Sequence, residues 1–212
     1  MNIYKYRDEH PLHRTRDEMI EDLIHIYDGK SGLSEGSKNN LIESFLYEWT
    51  EYYGKFVGCK LWSKNALLHW EKIRKQKGNP YSQLRHEHIV PRKVIKNLIS
   101  SNFSPDFNKM NELLNKYLIG VIVTTIEDKA LLKDSMPHNW EINDEWARYK
   151  HKPIDLYYVK WEINNKKILT YSPTPFEMDN KKISYQVIYQ SPTPQSSSKR
   201  YNRIEYNDKW NL

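Results

Sequence analysis

The sequence predicts an α+β fold: a helical N-terminal part, a mixed central unit and a small antiparallel β-sheet at the C-terminus. Three observations predict it. Apolar residues recur at helical spacing over 1–80, an apolar run with strand texture stands at 118–125, and from residue 154 onward apolar and polar residues alternate. The 212 residues fit one domain, organised as a helical part (1–80), a central unit (81–153), a β-meander (154–194) and a tail (195–212) that reads as mobile.

The first helix opens at Thr15, which forms a capping-box pattern with Glu18, and carries Met19, Ile20, Leu23, Ile24 and Tyr27 to a stop at Gly29. A second starts near Ser37 and sets Leu41, Ile42, Phe45, Leu46 and Trp49 on one face, ending at Gly54. A third runs from about Ser63 to Lys77, with Ala66, Leu67, Trp70 and Ile73 inward, a structural His69, and Gly78 behind it. Its last turn holds Lys72, Arg74, Lys75 and Lys77, cations that partly suit the negative end of a helix dipole. Asn79-Pro80 closes the helical part.

Residues 85–90 read as a short strand, and Pro91 permits a helix behind it through Val94, Ile95, Leu98 and Ile99. Ser104-Pro105 opens another, with Met110, Leu113, Leu114 and Tyr117. The run "LIGVIVTT" (118–125) is a buried strand, followed by a short helix "IEDKALLKD" (126–134) that ends at Met136-Pro137. Further on, "IDLYYVKWEI" and "KKILTYS" flank Asn164-Asn165 as a hairpin would, and "KKISYQVIYQ" supplies a third alternating strand. Ser-Pro-Thr-Pro occurs at 172–175 and 191–194; two copies do not make a repeat architecture and read as strand-ending linkers.

Charge is unevenly spread. The chain carries +6 in all, but residues 1–54 come to −5 and residues 97–150 to −2. Residues 55–96 hold 11 Lys and Arg against 2 Asp and Glu, a net of +9. A local basic patch of this kind is the electrostatic footprint of phosphate-backbone binding, or else a solvated helix face. Cys59 stands alone, which excludes an internal disulfide framework and a multi-cysteine zinc site. Without a signal-peptide core at Met1–Lys5 or any apolar run near membrane-span length, the expectation is a cytoplasmic protein with no membrane partner.

The chemistry gathers in "RHEHIVPRK" (85–93), where two imidazoles, a carboxylate and three cations share nine residues. Such groups cost free energy to bury, so their clustering points to a use. The spacing excludes a helical zinc pair, which needs histidines at i and i+4. On a strand, alternation sets His86 and His88 on one face and Glu87 on the other, although the turn into Pro91 can return Glu87 to the same pocket.

"HEHIVPRK" resembles the opening of the HNH, or ββα-metal, nucleases, whose first strand often ends in Asp/Glu-His-Ile/Val-x-Pro. The resemblance implies nuclease activity, with His88 as general base, Glu87 as a ligand of a divalent cation (Mg²⁺ or Mn²⁺), and His86 in support. "GVIVTTIEDKALL" (120–132) is similar to the family's second strand and helix. Where family helices offer His or Asn, this one has Lys129 and Lys133, which leaves Glu127 and Asp128; Asp128 stands as the second metal ligand, or as a cap paired with Thr125. Arg85, Arg92 and Lys93 would hold the phosphodiester, with Arg74, Lys75 and Arg148 extending the contact to nucleic acid, DNA ahead of RNA. The resemblance implies a restriction or defence context.

Two other classes stay open. A metal-independent RNase would use His86 and His88 as an acid–base pair, with Arg85 or Lys93 on the phosphate. A non-catalytic protein would bind nucleic acid or another protein. The stretch "MPHNWEINDEWARYKHKPI" (136–154) interleaves Trp140, Trp146 and Tyr149 with cations, either to stack bases or to seal a core while Arg148 pairs with Asp144.

Overall fold

A computed structural model of the chain describes residues 14–28, 31–52, 54–79, 81–101, 103–162 and 167–173. Contacts divide the chain into Met1–Lys182 and Ile183–Leu212, and every described residue belongs to the first unit. The Asn164-Asn165 turn, the "KKISYQVIYQ" strand, the second Ser-Pro-Thr-Pro and the serine-rich tail lie outside the described residues. No helix among those described is long and apolar enough to cross a membrane.

The class is α+β. Helix α1 spans Arg16–Tyr27 and starts with the full Thr15–Glu18 capping box. Helix α2, Glu35–Thr50, begins two residues earlier than expected because Ser34 caps it through the Ser37 amide. It buries Ile42, Phe45, Leu46 and Trp49, an i, i+3, i+4, i+7 stripe. Leu41 falls outside that stripe and is 45% exposed, a correction to the expected face.

Strand β1, Leu61–Ser63, lies in what reads as a helical region, and it is central. Three residues are too few to show alternation, and all three are buried because both faces of the sheet are covered there. Ser63 then caps helix α3, Lys64–Lys75, accepting from the Ala66 amide at 3.0 Å. α3 buries Ala66, Leu67 and Trp70, and Ile73 is only half-buried. It ends in paired Gly78→Ile73 and Lys77→Arg74 amide–carbonyl bonds of 3.0 Å, with Lys77 rather than glycine in the left-handed conformation (φ 56°).

Strand β2 (Leu84–His88), helix α4 (Arg92–Ser101), helix α5 (Phe107–Tyr117), strand β3 (Gly120–Thr124) and helix α6 (Thr125–Ala130) follow. The α6 capping box is Thr124 with Glu127, one residue before the expected Thr125–Asp128 pair. Helix α7 is Ala147–His151, and strands β4 (Leu156–Glu162) and β5 (Lys167–Pro173) pair antiparallel. That pair is not a separate sheet. β4 also pairs with β1, giving one five-stranded sheet in the order β2-β3-β1-β4-β5, with β1 and β3 parallel. One face of the sheet is closed by α3 over Trp62, Leu84, Ile122 and Val159.

Candidate functional site

The "RHEHIVPRK" cluster sits on strand β2, which among the described residues lies at the sheet edge and pairs with β3. Leu84, His86 and His88 share the face that meets the end of α2, and Arg85 and Glu87 take the opposite face. The strand ends at His88, and Glu87 stays on its own side rather than returning to the histidines.

On the first face, His86 Nδ1 lies 3.0 Å from Glu51 Oε1, and the His86 side chain is 1% exposed. Glu51 is the C-cap of α2, so the imidazole also meets the negative end of that helix. Burial alone would lower the His86 pKa; the Cys59 sulfur and the Glu51 carboxylate outweigh it and raise the imidazole to about 9. Nε2 approaches Cys59 without a hydrogen bond of ordinary geometry, because Cys59 Sγ turns to the Leu61 and Gly120 carbonyls at 3.4 Å. The ring lies over Gly120, where any Cβ would collide with Nε2.

His88 is 5% exposed, and its Nε2 lies 3.0 Å from Thr50 Oγ1. Burial, and then the charges of His86 and Arg148, hold it well below the usual histidine value. The two rings stand 5.3 Å apart, one cationic and one neutral at pH 7.

On the opposite face, Arg148 Nη1 donates to Glu87 Oε1 at 2.8 Å and to the His88 carbonyl at 2.7 Å. Arg148 is 1% exposed, so the residue expected on phosphate lies inside. Its anticipated partner, Asp144, instead accepts from Lys150 at 2.8 Å. Burial raises the Glu87 pKa; Arg148 opposes that, and the Asp128 carboxylate adds to it. Both expected metal ligands thus share one electrostatic neighbourhood, with Glu87 already neutralised by a guanidinium. Among the described residues the buried Tyr149 hydroxyl has no hydrogen-bond partner, and burial together with Glu87 pushes its pKa well above the usual phenol value. Trp146 and Tyr149 are buried, in keeping with core packing.

Beside this network, one carboxylate joins two helix starts. Glu127 Oε2 accepts from Ser63 Oγ at 2.7 Å and from the Thr124 amide at 2.8 Å, and Oε1 accepts from Asn65 at 3.0 Å. Glu127 therefore serves as a cap and brace.

The remaining predicted contacts divide. Arg92 stacks on Tyr47, 3.4 Å from the ring centroid, with Glu43 at 3.9 Å. Arg85 and Lys93 are exposed, as are Lys72, Arg74 and Lys75. Around the end of α3 lies an aromatic group the sequence did not flag. Phe56 and Tyr81 stack at 4.8 Å with an interplanar angle of 11°, and Arg74 lies 5.0 Å from the Trp70 ring centroid. Burial raises the Tyr81 phenol, while the adjacent Trp70 N–H and Arg74 charge pull it down. Lys55 Nζ lies 5.8 Å from the Phe56 centroid.

The residues missed by sequence reasoning are Thr50, Glu51, Phe56, Ser63, Tyr81 and Gly120. Only Gly120 carried a signal, as a glycine inside an apolar strand marks a close approach. No family model matches this sequence, and neither a curated protein nor a solved structure matches it.

Proposed function

We propose that the protein binds nucleic acid through the surface that joins the last turn of α3 to the Phe56–Tyr81 pair. One observation carries this reading: exposed Arg74 adjoins the Trp70 and Tyr81 rings, and exposed Lys72 and Lys75 share its last turn of α3. Cations there draw phosphates and release their counterions, and the +9 of residues 55–96 supports the attraction. The helix dipole accounts for part of the α3 charge and for none of Lys55. The test is fluorescence anisotropy on a labelled oligonucleotide across a salt series. Lys72→Glu, Arg74→Glu and Lys75→Glu together should weaken binding and lower the salt slope by up to about 3. Unchanged affinity and slope would reject this surface.

A second reading, phosphodiester hydrolysis assisted by Mg²⁺ or Mn²⁺, is favoured by the nearness of Asp128 to Glu87. As arranged, the two carboxylates do not fit a cation, because Arg148 holds Glu87 at 2.8 Å. His88 could act as a base only after parting from Thr50 and meeting water. Metal-free acid–base work by His86 and His88 meets the same obstacle. Cleavage of plasmid DNA or total RNA that needs the metal and is lost in Glu87→Gln would favour this reading; no cleavage with or without metal would leave binding alone.

A further inference from the structure

The Phe56–Tyr81 pair is built from two loops that converge on the α3 side of the sheet. Phe56 follows α2, and Tyr81 lies between α3 and β2. Their rings are nearly parallel, both half-buried, and packed against the core cluster that includes Trp62 and Trp70. The stack is therefore anchored below and reaches the surface above.

The Tyr81 loop is also conformationally committed. Its amide donates to Asn79 Oδ1 at 3.1 Å, and its carbonyl accepts from the Leu84 amide at 3.2 Å. Lys77 and Gln83, neither a glycine, hold left-handed backbone on either side of it, at φ 56° and 61°. Around the pair, Lys55 stands at Phe56 and Arg74 lies next to Tyr81.

Resting on the nucleic-acid reading above, we propose that the ligand is single-stranded nucleic acid, held by base stacking on Phe56 and Tyr81 while Lys55 and Arg74 take the flanking phosphates. A duplex keeps its base faces stacked on one another, so a flat aromatic pair offers it nothing. An unpaired base has a free π-face, and stacking of this sort tolerates any sequence. One cation beside each ring, Lys55 at Phe56 and Arg74 at Tyr81, suits the phosphates of a strand whose bases stack there.

The experiment compares three labelled probes at one salt concentration: oligo(dT), oligo(A) RNA and a DNA duplex of equal length. The single strands should bind at least roughly tenfold tighter than the duplex, and the DNA and RNA arms show which sugar is preferred. Phe56→Leu and Tyr81→Leu keep apolar bulk beneath the loop and remove the π-face. Each should weaken single-strand binding by about 5- to 100-fold and leave duplex binding unchanged. Tyr81→Phe keeps the ring and should bind as the wild type does. Equal affinity for duplex and single strand, or Leu variants that alter both alike or neither, would overturn the stacking inference while leaving charge-driven binding intact. Loss of all binding sensitivity to Lys72, Arg74 and Lys75 would sink the underlying reading instead.

Discussion

The imidazole of His86 occupies the space that a side chain on Gly120 would fill, one strand away. Because Glu51 holds the ring and the site is sealed, the imidazole has nowhere to retreat. Gly120→Ala should therefore lower stability by about 1–3 kcal/mol, measured by urea unfolding. In a double-mutant cycle with His86→Ala, the double variant should lose less stability than the two single losses added together. Strict additivity would mean that the ring does not claim that space.

The two histidines oppose each other in pH dependence. His86 is raised to about 9 from 6.5, so its stabilisation is complete below pH 6.5 and fades as pH climbs to 9. His88 is depressed below 6.5, so the unfolded chain takes up a proton that the folded chain refuses, and stability falls as pH drops under 6.5. Stability should peak close to pH 6.5, with slopes of up to about 1.4 kcal/mol per pH unit on either side. Glu51→Gln should flatten the alkaline limb and His88→Gln the acid limb. A wild-type curve that is level across this range would contradict both assignments.

Arg148→Met would leave the Glu87 carboxylate buried without its partner and should cost about 3–5 kcal/mol. Adding Glu87→Met should recover most of that loss, short of roughly 1 kcal/mol for the His88 carbonyl that Arg148 also serves. Calorimetric unfolding of the two variants decides the matter. A double variant no more stable than the single one would show that the ion pair is not the source of the loss.

Ser63 serves two helices, as cap of α3 and as donor to the Glu127 carboxylate that caps α6. Ser63→Ala should cost about 1–2 kcal/mol. Ser63→Asp keeps an N-capping oxygen but sets a second carboxylate against Glu127, so it should fare no better than alanine. If Asp restores wild-type thermal stability, capping of α3 alone accounts for the serine.

What was legible in the sequence was local. The Thr15–Glu18 box, the helix behind Pro91 and the apolar β3 each announce themselves within a dozen residues, and the antiparallel β4–β5 pair does so between Leu156 and Pro173. β1 was hidden because three residues carry no period, and the Thr124 cap because Thr125 offers the same hydroxyl one step later. "HEH" lies on a strand with its histidines on one face, as period-two alternation predicts. Their partners were not readable: Glu51 lies 35 residues before His86, and Arg148 lies 61 after Glu87. Pairings over such distances leave no local pattern. The Phe56–Tyr81 stack, which joins two separate loops, leaves no local pattern for the same reason.

The position of β1 bears on how the chain reaches its fold. Leu61–Ser63 is made early, yet its two neighbours come from Gly120–Thr124 and Leu156–Glu162. During synthesis the middle of the sheet must wait for both, and closures over such separations are slow. Until β4 emerges, β1 presents an open apolar edge around Trp62, the kind of edge that recruits other chains. A fragment that stops short of Leu156 should therefore behave as an aggregating chain rather than a smaller folded protein, whichever helices it retains.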